Sequence, residues 1–282
     1  AITSISYDHQ RIRGSTLDRI AREKAGIIKE GVPVISGVQC PEASPVIEEV
    51  SRQRGSRLLC LHRDFDYQYR SASVDALTWQ PSRVDLQVGE VRYSDCELGL
   101  LGEHQAANAS VAVACVEEMR RQGWSISEEA IREGLASTFW PARMEVTSRA
   151  PLVILDCAHN VASAQALIET LNSFPMLNQG RRFLIFAASH DKDLRGMLQV
   201  LAPHFTDILL TSHPLHPRLI APEEVAKILS EVCAKPITIC QSSSQAWHRA
   251  HRQAKEEDLI CVTGSVFLAG ELRPILLESA TK

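Results

Sequence analysis

Short apolar runs alternate with amphipathic stretches along most of this chain. Residues 2–5, 32–35 and 57–61 are rich in β-branched residues and leucine and read as buried strands. Between them, 17–28 and 45–54 carry apolar side chains three and four apart and read as helices. Ser15 or Thr16 is placed to cap the first helix, and Gly31 to end it. Strand and helix in strict turn imply a parallel sheet. The chain opens directly on an apolar run, which suggests that more of this sheet lies upstream.

Residues 65–100 change character. Tyr67-Gln68-Tyr69, 84–88 and 91–98 alternate apolar and polar side chains, with Gly89-Glu90 as a tight turn. A small antiparallel patch with one solvated face is expected there. Two helices follow, an Ala-rich one over 104–121 and one over 127–135 capped by Ser127. Residues 137–151 show no periodicity and read as a linker. Beyond it, 152–155, 183–186, 208–210, 237–239 and 259–262 are continuously apolar, as strands are when helices cover both faces. Helical stretches near 161–173, 193–202, 222–233 and 243–256 separate them. This half is expected to be a doubly wound α/β domain, in which ligands bind at the carboxyl ends of the strands.

Composition narrows the class without naming a chemistry. The 282 residues are 45% hydrophobic and carry a net charge of -4, so there is no basic footprint for nucleic acid. No apolar run reaches the length of a membrane span, and the amino terminus has no signal-peptide pattern. Eight cysteines are scattered singly, mostly inside apolar segments, and read as small core residues of a reducing, cytoplasmic compartment. Neither a G-x-x-x-x-G-K-S/T loop nor a G-x-G-x-x-G after a strand occurs. Any nucleotide chemistry therefore needs a phosphate cradle from elsewhere, and a dinucleotide-dependent oxidoreductase is disfavoured. The histidines of Ser212-His213-Pro214-Leu215-His216-Pro217 lack zinc-site spacing and are expected to form a cleft rim. Polar residues follow several of the apolar strands, at 156–160, 191–193 and 265, and these loops share one sheet edge.

The most specific stretch runs from Tyr7-Asp8-His9 through Gly14-Ser15-Thr16-Leu17 to Ile20-Ala21-Arg22-Glu23-Lys24-Ala25-Gly26-Ile27-Ile28-Lys29-Glu30-Gly31-Val32-Pro33-Val34. Leu101-Gly102-Glu103-His104-Gln105-Ala106-Ala107-Asn108, Trp140-Pro141-Ala142-Arg143-Met144-Glu145, Asp156-Cys157-Ala158-His159-Asn160, Asp191-Lys192-Asp193 and Thr263-Gly264-Ser265 follow in order. Over nearly the whole chain this set resembles the folylpolyglutamate synthase/dihydrofolate synthase family of Mur-type ligases. It departs from the family pattern at Ala142 and Cys157, where glycine is usual, at Val161, where proline is usual, and at Ile12-Arg13.

The resemblance implies an α/β architecture: residues 1–143 as the carboxyl-terminal part of a central ATP-binding domain and 144–282 as a Rossmann-like carboxyl-terminal domain. It implies ATP and Mg²⁺ as cofactors, with folate or dihydropteroate and L-glutamate as substrates of a monomeric enzyme. Of the site residues, His9 would serve the metal, as would Lys24 if carbamylated. Lys24 and His159 would be catalytic. Asn108 would meet adenine, Arg143 the phosphates, and Asp156 and His159 the nucleotide. Asp191, Lys192 and Ser265 are the substrate candidates. Activity is expected of the full-length protein and not of these residues alone. Another Mur-type amino-acid ligase and a non-catalytic ligand-binding derivative of the fold are the alternatives.

Overall fold

The computed structural model describes residues 1–7, 16–74, 79–174, 180–212 and 218–280. Two compact units divide them, one formed by Ala1–Ala72 with Gln80–Phe139, the other by Ser73–Trp79 with Trp140–Lys282.

In the first unit, α1 (Leu17–Ala25), β1 (Val34–Ser36), α2 (Ser44–Gln53) and β2 (Leu58–Cys60) follow in turn, with β1 and β2 parallel. The expected strand at 2–5 reduces to one parallel bridge, Ile2 to Ser36. Helix α1 stops at Ala25, short of the expected 28, because three successive amides (Gly26, Ile27 and Ile28) turn back onto carbonyls only three residues away. Thr16 occupies the cap position without its hydroxyl accepting a helix N–H, whereas Ser127 does cap its helix, accepting from the Ala130 N–H at 3.1 Å. Ala21 and Ala25 are fully buried, and the small residues let α1 lie close on α2 around Ile20, Val46 and Ile47.

The antiparallel patch comprises β3 (Phe65–Arg70), β6 (Ser82–Val88) and β7 (Val91–Leu98), in the order β3-β6-β7; in the sequence β3 and β6 are separated by β4 (Ser73–Val74) and β5 (Trp79–Gln80), which pair with each other as a separate sheet. Gly89 makes the β6–β7 turn at φ +58°. Helices α3 (Glu103–Arg121) and α4 (Glu128–Ser137) cover the apolar face. Beneath them Tyr93, 1% exposed, donates to Glu117 Oε1 at 2.5 Å and accepts from Arg120 Nη1 at 2.8 Å.

Burial, then the neighbouring Glu117 carboxylate, push the Tyr93 phenol up to about 12. The unfolded chain releases this proton near pH 10, so between about 10 and 12 the native state holds more protons and stability falls as pH rises. Wild type is expected to lose on the order of 2 kcal/mol across that window relative to Tyr93→Phe. Parallel urea melts at the two ends of the window read the difference, and identical pH slopes for the two proteins would show that Tyr93 does not titrate there.

The second unit is a six-stranded sheet ordered β12-β11-β10-β13-β9-β8, from β8 (Glu145–Arg149), β9 (Leu152–Leu155), β10 (Arg182–Phe186), β11 (Asp207–Leu210), β12 (Ile237–Ile239) and β13 (Leu259–Thr263). All pairings are parallel except β8 with β9. Crossover helices α5 (Val161–Asn172), α6 (Leu194–Leu201) and α7 (Pro222–Val232) pack in series. Helices α8 (Ser243–Gln253) and α9 (Val266–Ala280) pack on each other and close a core that holds Val153, Ile185, Val262, Trp247 and Leu272. Every residue of β9 and β13 is buried, as the continuous apolar runs require.

Two elements depart from expectation. Residues 145–149, read as linker, form edge strand β8; its inward positions are Glu145 and Thr147, so its alternation is polar and shows no hydrophobic period. Helix α9 was not expected, since it contains Pro274 and apolar residues distributed all round. All eight cysteines are free thiols, Cys96, Cys240 and Cys261 buried and the others half-buried. Among the described residues no helix is long and apolar enough to cross a membrane.

Candidate functional site

The strand order of the second unit brings dispersed sequence segments to one edge. Strand β13 lies between β9 and β10, so the loops leaving these three strands at their carboxyl ends are neighbours. They carry Asp156 and His159 after β9, Asp191 and Lys192 after β10, and Ser265 after β13. Strand β8 runs antiparallel and pairs Glu145 with Leu155, so its start, just after Arg143, belongs to the same edge.

Asp156 is 8% exposed, and both of its oxygens are taken by backbone amides: Oδ2 accepts from the Met144 N–H at 2.9 Å and Oδ1 from the Ala158 N–H at 2.7 Å. Burial pushes its carboxyl up from the ordinary value, against the pull of those two donors and of the Arg143 guanidinium. Asp156 is therefore not the helix cap that a strand-end aspartate suggests. The α5 cap is Asn160, whose Oδ1 accepts the Ser163 N–H at 2.8 Å, while Ser163 Oγ accepts the amides of Asn160 and His159 at 3.1 Å. Val161, the first helical residue, occupies a position where proline is well tolerated, which accounts for the family's proline there.

His159 is half-buried, and its Nδ1 lies 2.9 Å from the Cys157 carbonyl oxygen. A carbonyl only accepts, so Nδ1 carries a proton, and in the neutral form of the ring the lone pair lies on Nε2. Burial pushes the Cys157 thiol up, so Cys157 stays protonated beside it.

Arg143 projects from a tight loop. Ala142 and Met144 on either side are buried and hold φ of +54° and +47°, left-handed values that cost an alanine or methionine roughly 1 kcal/mol each. Ala142 stands where the resemblance leads one to expect glycine, and the positive φ explains that preference. Arg143 itself is exposed. Its neighbour Glu145, whose side chain is 5% exposed, accepts the Ala142 N–H at 2.8 Å and is gripped by Arg273 of α9, with Nε and Nη2 between 2.9 and 3.1 Å from its two oxygens. In the sequence Glu145 appeared only as the last residue of the Trp140–Glu145 motif, with no role, and Arg273 did not stand out. A charged residue two places after Arg143, and an arginine inside an apolar terminal helix, were the available signals.

Lys192 is largely buried, with its side chain 9% exposed and Nζ 3.7 Å from Asp191. Asp193 caps α6 through the Gly196 N–H. Ser265 is buried, and its Oγ accepts the Phe267 N–H at 3.2 Å where α9 begins. Farther along the edge, beyond β11 and β12, His190, Ser212, Leu219, Glu223, Glu224 and Gln241 line an open cleft of about 590 Å³. The His213 and His216 loop lies outside the described residues, as does His9.

Two candidates belong to the first unit. Lys24 is half-buried in the last turn of α1 beside Ala25. Asn108, in the second turn of α3, donates to Gln105 Oε1 at 3.1 Å, and Gln105 in turn meets the His104 ring. Among the described residues no three His, Cys, Asp or Glu side chains converge as a metal cage.

Residues 142–266 match the sequence profile of the Mur ligase, glutamate ligase domain. The folylpolyglutamate synthase of Lacticaseibacillus casei is 32% identical over 277 residues, covering 98% of this chain and 61% of the relative. Among solved structures, the Mycobacterium tuberculosis folylpolyglutamate synthase complexed with ADP and AMPPCP superposes with a TM-score of 0.84 at 30% identity, over 98% of this chain and 63% of that one. The bifunctional folylpolyglutamate synthase/dihydrofolate synthase of Yersinia pestis, complexed with AMPPNP and a Mn ion, gives 0.78 at 26% identity, over 97% and 60%. The chain thus spans about three-fifths of the length of the relatives it matches.

Proposed function

Because the chain belongs to the folylpolyglutamate synthase/dihydrofolate synthase family of Mur-type ligases, we propose that the protein joins L-glutamate to a carboxylate of folate or dihydropteroate at the expense of ATP. The observation that carries this reading is that Arg143, His159 and Lys192 lie on one sheet edge, formed by the carboxyl ends of β9, β13 and β10 and the start of β8, inside the segment that matches the glutamate ligase domain. An arginine presented on a braced loop, an imidazole of fixed tautomer and a largely shielded lysine suit a polyanion being transferred.

ATP is the substrate that supplies the phosphoryl group, which converts the acceptor carboxylate to an acyl phosphate. The glutamate amine adds to the acyl carbon and gives up a proton, and inorganic phosphate leaves as the amide bond forms. Arg143 neutralises charge on the phosphoryl oxygens. His159 Nε2 receives the amine proton, its ring held by the Cys157 carbonyl. Lys192, Asp191 and Ser265 orient the incoming amino acid. In the first unit Asn108 meets the adenine, and His9 would hold the metal, as would Lys24 if carbamylated. A divalent ion bound there would neutralise phosphate charge. With no phosphate-loop motif in these 282 residues, the isolated chain turns over no ATP.

The test is an acceptor screen on the intact gene product, following ADP release with folate, dihydropteroate or a muramyl acceptor. ADP release that requires both L-glutamate and a pteridine acceptor is expected. Release driven only by the muramyl acceptor would move the protein to another branch of the Mur-type ligases, and no release with any acceptor would favour a ligand-binding derivative.

A further inference from the structure

We propose that Arg273, Glu145 and Asp156 are positioning residues whose joint task is to hold Arg143 and His159 in one fixed relation; this rests on the reading of Arg143 and His159 given above. Arg143 sits at the tip of a loop whose two flanking residues are both left-handed. Such a loop does not hold itself, since each of the two conformations is intrinsically unfavourable and needs surrounding contacts to persist. Here each flanking amide is tied to a different buried carboxylate. The Ala142 N–H goes to Glu145 and the Met144 N–H to Asp156.

The two ties lead to different parts of the unit. Glu145 is held in turn by the guanidinium fork of Arg273, 128 residues later in the chain, so α9 fixes one side of the loop. The second oxygen of Asp156 takes the Ala158 N–H, one residue before His159. A single carboxylate therefore clamps the Arg143 loop to the root of the His159 loop. With both oxygens of Asp156 given to backbone donors, its main part is geometric.

The test is a pair of double-mutant cycles in the intact gene product. Arg273→Gln is expected to lower kcat for glutamate ligation by about 10- to 100-fold, with KM for glutamate within about threefold of wild type. In an Arg143→Ala background the same change is expected to alter kcat by less than about twofold, because the group it positions is gone. Arg273→Lys keeps the charge, loses the fork and should fall between the two. Glu145→Gln should behave as Arg273→Gln does.

Amide hydrogen exchange supplies a readout that does not depend on turnover. Arg273→Gln should speed exchange at Ala142, and Asp156→Asn at both Met144 and Ala158. Equal losses of kcat in both backgrounds, or unchanged exchange at Ala142 in Arg273→Gln, would overturn the positioning role. Wild-type kcat in Arg143→Ala, with the exchange changes present, would instead remove the catalytic reading of Arg143 on which the proposal depends.

Discussion

Replacing Arg143 by alanine in the intact protein is expected to cut kcat for ATP-dependent glutamate ligation by about 10²- to 10³-fold, the usual cost of removing one preorganised donor to a developing anion. The melting temperature should not move, because Arg143 is exposed and the ties that shape its loop run through the backbone amides of its neighbours. The separation of the two effects is the informative part. A side chain that served only to complete the fold would change both quantities, and an idle surface arginine would change neither. Arg143→Lys should recover only a small part of the loss, since an ammonium cannot reproduce a planar fork. Steady-state ADP release and a thermal melt on the same samples decide the matter.

The largest effect on stability is expected at Gly264. This residue turns the chain from β13 into α9 at φ +101°, a conformation that costs an L-residue roughly 1–2 kcal/mol. A Cβ there would also be driven into the Ala187 carbonyl oxygen and the Phe186 ring, both at the end of the neighbouring strand β10. Neither neighbour can move away, since Phe186 and Ala187 are themselves buried at the sheet centre. Overpacking of this kind adds about 1–3 kcal/mol, so Gly264→Ala should destabilise the protein by about 3 kcal/mol and lower its melting temperature by on the order of 10 °C. Activity should fall with it, because Ser265 and the β10 loop would be displaced from the edge they share. A melting temperature within about 2 °C of wild type would mean that the turn has room the structure does not show.

How far the sequence revealed this molecule depended on what each segment buries. Strands β9, β10, β11 and β13 were legible because helices on both faces demand unbroken apolar runs such as Leu152-Val153-Ile154-Leu155. Strand β8 was invisible because the residues it turns inward are Glu145 and Thr147, and a buried glutamate reads as a surface one until its arginine partner is known. Helix α9 was hidden by Pro274 and by apolar residues on every side. At the site, the loops carrying Asp156, Lys192 and Ser265 were legible as polar interruptions after apolar strands. That they share one edge followed from the parallel alternation, but not that they are immediate neighbours, which depends on β13 inserting between β9 and β10. Asp156 carries the sharpest lesson. Its place after β9 pointed to the nucleotide, and its oxygens also accept two backbone amides, that of Ala158 two residues on and that of Met144 twelve residues back; only the second tie lacks a local signal.

The most direct test of the account is incorporation of radiolabelled L-glutamate into a folate acceptor by the intact gene product, with Lys24→Ala and His159→Ala assayed beside wild type. Wild type should incorporate label only when ATP is present, and each variant should fall by at least about 10²-fold while remaining folded. Wild-type turnover in both variants would contradict the assignment of this edge, and of Lys24, to the chemistry of amide formation.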